Sequence, residues 1–162
     1  GDGIGLLLEE DAGFGATIAP SKSQSIEYLS FLNKCVITRD PDNFVEGRDV
    51  RIMACEDTYV YLGSMGDCLQ ISNCINCTIF VSAVARVCTI ERCENVTLCA
   101  ASNYMRIGNC VDCTVYSYTQ IGSPVIYGDT RSLTLAPHNA SYPGLKKSLK
   151  DAGIDTDRRK TQ

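Results

Sequence analysis

Two Cys-x-x-Cys pairs have the residue spacing that is typical of metal sites and redox-active disulfides. They lie in the stretches CINCTIF, which begins at Cys74, and CVDCTVY, which begins at Cys110. Four thiolates from two such pairs can form a structural zinc site. The chain offers little to build other metal sites, because His138 is its only histidine. The same spacing also arises where a repeating unit places cysteines at two core positions.

A repeat of about 19 residues accounts for the cysteines. Units begin at Cys55, Cys74, Cys93 and Cys110, which are 19, 19 and 17 residues apart. An earlier unit is predicted from Cys35 and a degenerate one near Thr130. The position three residues after each corner cysteine holds Thr58, Cys77, Val96 or Cys113. A ligand position would not accept valine, whereas an inward packing position would, so the repeat favours a core role over a zinc site.

The interior of each unit predicts short β-strands. An Asp or Asn at the third position favours a turn, and apolar residues then follow two apart, as Val96 and Leu98 do. A second alternating segment completes the unit, as with Cys88 and Ile90. A short period that contains strands and no helix predicts an all-β fold, a right-handed parallel β-helix with one coil per unit. An antiparallel sandwich is the competing fold, but the regular corner cysteine disfavours it.

The flanks of the repeat predict short helices that cap the open ends of the β-helix. Ser21 and Gln24 have the spacing of a capping box, and Ile26, Leu29 and Leu32 would then share one helical face. Near the C-terminus, Pro143 is predicted to begin a helix and Gly153 to end it. The predicted division is an N-terminal cap over 1–34, a β-helix over 35–138, and a C-terminal helix with a flexible tail over 139–162.

Composition and charge exclude several classes of function. The net charge is −4, so the basic field of a nucleic-acid-binding protein is missing. The apolar stretch GIGLLL is too short to span a bilayer. The glycine-rich GDGIG has no following Lys-Ser/Thr, so it is not a phosphate-binding loop, and no cofactor is predicted. The ten cysteines are predicted to be reduced and buried as small core residues.

Three stretches of the sequence resemble the TBCC domain, the C-CAP-like β-helical domain of tubulin-binding cofactor C. They are ISNCINCTIFVSAVARVCTIERCENVTLCA, MRIGNC and LTLAPHNASYPGLKKSLKDAGI, within a resemblance over roughly residues 35–152. The ending is most similar to the TBCC-domain-containing protein 1 group. Some members of the family activate GTP hydrolysis by tubulin or Arf-like GTPases through an arginine finger in a Gln-x-Arg motif. The TBCC-domain-containing protein 1 group is instead associated with centrosomes and basal bodies.

The resemblance implies a cytoplasmic, cytoskeleton-associated domain whose partners are proteins, with a small GTPase or tubulin as candidates. The family's finger arginine matches Arg106 in NYMRIGNC. Met105 and Ile107 have the inward parity, so Arg106 is expected to point outward. The same outward column is expected to contain Gln70, Thr89 and Ile126.

Two positions around Arg106 depart from the family pattern. Tyr104 replaces the motif glutamine. Tyr127 falls where another member of the family, the X-linked retinitis pigmentosa GTPase activator, has a glutamate that supports the finger. Two interpretations therefore stay open. Arg106 is either a finger that neutralises charge on a transferring phosphoryl group or a surface arginine that contacts a partner.

A column of aromatic residues is the other candidate binding feature. Tyr61, Phe80 and Tyr116 share one outward position of the unit, and Cys99 lies between them. The column is predicted to be either a partner-binding patch or a surface packed under a cap or loop.

Overall fold

The structure is a computed structural model that describes residues 25–40 and 45–156 of the 162-residue chain. Within these residues it contains eleven β-strands and one α-helix. The strands are β1 (Ser25–Ser30), β2 (Val36–Arg39), β3 (Arg48–Met53), β4 (Tyr59–Leu62), β5 (Cys68–Ser72), β6 (Ile75–Val81), β7 (Val84–Glu91), β8 (Glu94–Gly108), β9 (Thr114–Thr119), β10 (Val125–Tyr127) and β11 (Thr134–Pro137), and the helix is α1 (Leu145–Asp151).

The strands form two parallel ladders that alternate along the chain. One ladder runs through β1, β3, β5, β7, the second half of β8 and β10. The other runs through β2, β4, β6, the first half of β8, β9 and β11. Because successive strands of one ladder are separated by a strand of the other, the chain winds as a β-solenoid with equivalent residues stacked. The predicted parallel β-helix is confirmed.

Two residues in the left-handed conformation bend the chain at one corner of each coil. Their φ angles lie between 50° and 67°. The first column holds Phe31, Ala54, Asn73, Arg92, Asn109 and Gly128, and the second holds Lys34, Asp57, Asn76, Asn95, Asp112 and Ser132. Asn, Asp and Gly tolerate this conformation better than other residues do. The turn predicted at the third position of the unit is therefore confirmed.

The corner cysteines lie between these two bends and point into the core. Cys55, Cys74, Cys93 and Cys110 are each at most 2% exposed. Their thiols donate to backbone carbonyls, as Cys110 Sγ does to the carbonyl of Gly108 at 3.2 Å. Cys77 pairs with Val96 on the next coil, so it occupies the second core column. Both Cys-x-x-Cys pairs thus mark two successive core positions, as the repeat predicts.

All ten cysteines are free thiols, and eight of them are buried. Burial raises the pKa of the Cys88 thiol to about 12, so this thiol stays protonated at neutral pH. Within the described residues, no three His, Cys, Asp or Glu side chains are grouped so that they could hold a metal ion.

The helix predicted before the repeat is wrong. Residues 25–30 form strand β1, which pairs in parallel with β3 from Ser25 to Ser30, while Ser21 and Gln24 lie outside the described residues. Leu29 is buried, but Ile26 is 39% exposed, as alternation along a strand requires. Glu27 occupies an inward position of the strand, and its carboxylate forms an ion pair with the Arg39 guanidinium at 3.0 Å. A charged residue at an inward position interrupts the apolar alternation by which a strand is predicted from sequence.

The unit predicted from Cys35 is shifted by three residues. Val36 pairs with Tyr59, which places Cys35 beside Thr58 in the second core column and leaves the corner position to Leu32. Residues 34 and 35 therefore lie within the corner that joins β1 to β2, with Lys34 in the left-handed conformation. The three-part domain division stays a prediction.

The predicted C-terminal helix is confirmed as α1. It ends in a Schellman motif, because Gly153 has φ 72° and the Ile154 N–H donates to the Leu149 carbonyl at 2.8 Å. Ala152 and Ile154 then pack against Ala83 and Ala101 on two successive coils. The helix is thereby anchored to one side of the solenoid, and the predicted tail beyond residue 156 lies outside the described residues.

Candidate functional site: the arginine face

The outward side of the ladder that contains β10 carries Arg106, and we call this side the arginine face. Met105 and Ile107 are 1% and 0% exposed, whereas Arg106 is exposed, so its predicted outward direction is confirmed. Arg106 pairs with Thr89, and Thr89 pairs with Gln70. These two predicted column members therefore lie beside one another on the neighbouring coils.

The prediction that Ile126 belongs to this column is wrong by one residue. Val125 pairs with Arg106, and Ile126 pairs with the buried Ile107. The shift arises because Gly128, rather than the next residue, occupies the left-handed corner above Asn109. Ile126 is still 50% exposed, because it lies on the last coil of its ladder.

Tyr127 holds the side chain of Arg106 in place. The Arg106 guanidinium carbon lies 5.0 Å from the centre of the Tyr127 ring, which is a cation–π contact. The Tyr127 hydroxyl donates to Glu91 Oε2 at 3.0 Å. Burial and the hydrogen bond to Glu91 raise the pKa of Tyr127, so its hydroxyl remains a donor at neutral pH. Arg106 is thus exposed and positioned at the same time.

Gly108 provides the space for this arrangement. It pairs with Tyr127 on one side and with Glu91 on the other. A Cβ atom at position 108 would collide with the Tyr127 ring. Because Gly108 has no side chain, the ring can lie across its coil and reach Glu91, which is one coil further along the ladder.

Two functional candidates on this face were not predicted from the sequence. Glu91 anchors Tyr127, and Arg51 occupies the Arg106 column through its pairing with Gln70. Arg51 also lies over a tyrosine ring, with 5.8 Å between its guanidinium carbon and the centre of Tyr28. The repeat register could have identified Arg51, because it is 19 residues before Gln70.

Tyr104, which stands where the family motif has glutamine, lies in the next outward column. It pairs with Val87 and is 48% exposed. The structure therefore leaves Tyr104 accessible beside Arg106, and its contact with a partner stays a prediction.

The aromatic column lies on the other ladder, away from Arg106. Tyr61 pairs with Phe80, Phe80 with Cys99, and Cys99 with Tyr116, as the repeat predicts. The ring centres of Tyr61 and Phe80 are 6.3 Å apart. Tyr142, from the C-terminal segment, packs edge-on against Phe80 with 6.0 Å between the ring centres. Cys99 is 4% exposed, while Tyr61 is 42% exposed. The C-terminal segment therefore packs on the middle of the column, and a cavity of about 260 Å³ remains beside Tyr61.

His138 lies directly after β11, and its backbone is bonded to the neighbouring strand β9. Its backbone N–H donates to the Ser117 carbonyl at 3.1 Å, and burial lowers the pKa of its imidazole. The side chain is half-buried and neutral at pH 7. This geometry is that of a structural residue at the end of a strand.

The fold and the sequence together define the class of this protein. A family model described as tubulin binding cofactor C, TBCC, matches residues 47–162, so the chain belongs to the TBCC family. The resemblance inferred from the cysteine repeat and the ending is therefore confirmed. No helix among the described residues is long and apolar enough to cross a membrane.

Individual relatives lie within this family. TBCC domain-containing protein 1 of Xenopus tropicalis is 29% identical over 128 residues, which cover 79% of this chain and 23% of that protein. Tubulin-specific chaperone C of Mus musculus is 26% identical over 108 residues, which cover 67% of this chain and 31% of that protein. The chain thus spans less than a third of the length of these curated relatives.

A solved structure also shows similarity. The cyclase-associated protein of Cryptosporidium parvum aligns with a TM-score of 0.47 and 14% sequence identity, and the alignment covers 70% of this chain and 63% of that one.

Proposed function

We propose that this domain is a protein-interaction module that binds a tubulin-related or GTPase partner through its arginine face. Within its protein it would act as a scaffold at centrosomes or basal bodies, in the cytoplasm. The observation that carries the proposal is Arg106, which is exposed and stacked on Tyr127. The similarity to tubulin-specific chaperone C makes tubulin the first candidate partner.

The rigidity of the arginine face supports this function. A flexible arginine loses conformational entropy when a partner immobilises it, at a cost of about 0.5–1.5 kcal/mol. Stacking on Tyr127 restricts Arg106 before a partner arrives, and the hydrogen bond to Glu91 fixes the tyrosine. The stacked β-strands beneath supply a flat platform whose side chains have fixed spacing.

Proximity labelling in ciliated cells tests the scaffold proposal. A fusion of this domain with a labelling enzyme should enrich centrosomal or basal-body proteins, and Arg106→Ala should reduce that enrichment. Arg131→Ala is the matched control, because Arg131 is exposed, is paired with Asp129 and lies outside the Arg106 column. Equal labelling of cytosol and centrosome by the wild-type fusion would contradict the proposed location.

A second candidate function is GTPase activation in trans, with Arg106 as the arginine finger. The specific observation in its favour is that Arg106 is held without loss of exposure, because catalysis depends on accurate positioning. The guanidinium would neutralise charge on the γ-phosphoryl group as it passes from GDP, the leaving group, to the attacking water, an effect of about 10³–10⁵ in rate for known fingers. Tyr104 does not supply the amide of the family's motif glutamine.

Single-turnover GTP hydrolysis tests the finger. Tubulin and Arf-like GTPases should each be assayed with the wild-type domain, Arg106→Ala, Arg106→Lys and the control Arg131→Ala. A finger predicts loss of stimulation with both Arg106 variants, because lysine cannot reproduce the planar guanidinium. Equal rates for the wild type and Arg106→Ala would rule out Arg106 as an arginine finger and leave only its proposed role in binding.

A further inference from the structure

We infer that the arginine face binds an extended acidic protein segment through two arginines, Arg51 and Arg106, and that this segment carries carboxylates about 14 Å apart. The inference rests on the proposed binding role of this face and names the chemistry of the partner. It assigns a function to Arg51, which the resemblance does not address.

Arg51, like Arg106, lies over a tyrosine ring, although Tyr28 pairs directly with Arg51 and Tyr127 is diagonal to Arg106. Each guanidinium lies over a tyrosine ring, at 5.8 Å from Tyr28 for Arg51 and 5.0 Å from Tyr127 for Arg106. Among the described residues, neither arginine has a carboxylate within ion-pair distance. Two positioned cations without an acidic partner are therefore available to an anionic ligand.

The register of the ladder fixes the distance between the two arginines. Arg51 pairs with Gln70, Gln70 with Thr89, and Thr89 with Arg106, so the arginines are three strand spacings apart. At about 4.8 Å per spacing, their Cα atoms are about 14 Å apart. An extended chain rises about 3.4 Å per residue, so residues i and i+4 are also about 14 Å apart and project to the same side.

The column between the arginines is neutral and suited to hydrogen bonding. Gln70 and Thr89 are half-buried side chains that can donate to or accept from a peptide crossing them. The nearest carboxylates by sequence position lie beside the column. Asp49 precedes Arg51 by two residues on the same strand. Glu91 follows Thr89 by two residues and accepts a hydrogen bond from the Tyr127 hydroxyl. An acidic segment aligned with the column would therefore meet the guanidinium groups without a carboxylate between them.

NMR titration of the Arg51 and Arg106 Nε–Hε resonances tests the inference directly. The probe is a synthetic Ser/Gly peptide with two glutamates four positions apart. Its control has the same composition with the glutamates two positions apart, a spacing of about 7 Å. The first peptide should shift both resonances, and the two titration curves should give the same Kd. It should bind at least about fivefold more tightly than the control peptide, because it engages both arginines at once.

Variants identify the residues responsible. Arg51→Ala should lower the affinity for the first peptide to that of the control peptide, whereas Arg131→Ala should change nothing. The inference is wrong if both peptides bind equally, if neither shifts the two resonances, or if Arg51→Ala binds like the wild type. Because no tubulin or GTPase is present, these outcomes are independent of the experiments on the proposed function.

Discussion

Tyr127 is the residue on which the geometry of Arg106 depends. Its ring supports the guanidinium, and its hydroxyl is fixed by Glu91. An exposed cation–π contact is worth about 0.5–1 kcal/mol, enough to favour one arginine rotamer over several others. The sequence identified Tyr127 as a change from the family pattern, but it could not show the contact. That contact requires the one-residue register shift at Gly128 and the space left by Gly108.

Substitutions at Tyr127 should therefore change the mobility of Arg106 in two steps. Tyr127→Phe keeps the ring and loses the hydrogen bond to Glu91, so it should lower the order parameter of Arg106 Nε–Hε slightly. Tyr127→Ala removes the ring and should lower it strongly. ¹⁵N relaxation measures both effects. Equal order parameters in the wild type and Tyr127→Ala would show that the ring does not hold Arg106.

His138 gives the domain a dependence of stability on pH. Burial lowers the pKa of its imidazole in the folded state below the ordinary value of 6.5. The unfolded state therefore binds the proton first as the pH falls, so the contribution of His138 is present above 6.5 and is lost as the pH falls through the lower, folded-state pKa. Urea unfolding should show a smaller difference in stability between pH 7.5 and 5.5 in His138→Gln than in the wild type. An unchanged difference would contradict this contribution.

Corners and strands are the elements that the repeat predicts best. The Asn and Asp corners could be located because their side-chain type reflects a backbone conformation that other residues adopt at a cost. The first strand was missed because Glu27 breaks the apolar alternation at the end of the core. Its partners are distant in the sequence, because Arg39 lies 12 residues further on, at the end of β2, and Arg48 begins β3 on the next coil. The sequence pattern alone contains no signal for that pairing.

Asp112 tests the energetic role of the corner conformation. It is exposed and has φ 54°. Asp112→Ala should destabilise the domain by about 1 kcal/mol, because Cβ disfavours the left-handed conformation. Asp112→Gly removes the same charge, but glycine has no Cβ, so this substitution should change the free energy of unfolding little. Urea unfolding of both variants measures the difference, and equal stabilities would show that the corner conformation costs nothing here.

At the scale of the whole molecule, the core is a continuous stack that runs along the solenoid. Ile52, Ile71, Ile90 and Ile107 are each 0% exposed and occupy successive coils of one inward column. Ile126 continues the column on the last coil. Such stacking makes each coil depend on its neighbours, so the rigidity of the arginine face derives from the core beneath it.

This stack predicts a large difference between two substitutions in one column. Ile90→Ala leaves a cavity between two coils and should destabilise the domain by about 2–5 kcal/mol. Ile126→Ala removes a side chain that is already 50% exposed and should cost less than half as much. Urea denaturation of the two variants is the measurement. Similar losses would contradict a core that is closed in the middle and open at its last coil.

Direct binding of purified tubulin is the measurement that tests the proposed arginine face most directly. Wild-type domain, Arg106→Ala and Arg131→Ala should be titrated with tubulin dimers in parallel. The wild type and Arg131→Ala should bind equally, and Arg106→Ala should bind at least about tenfold more weakly, because hydrogen bonds to a charged group are worth about 1.5–3 kcal/mol. Tubulin binding that is unchanged by Arg106→Ala would contradict the arginine face, and a wild-type domain that does not bind tubulin would contradict tubulin as the partner.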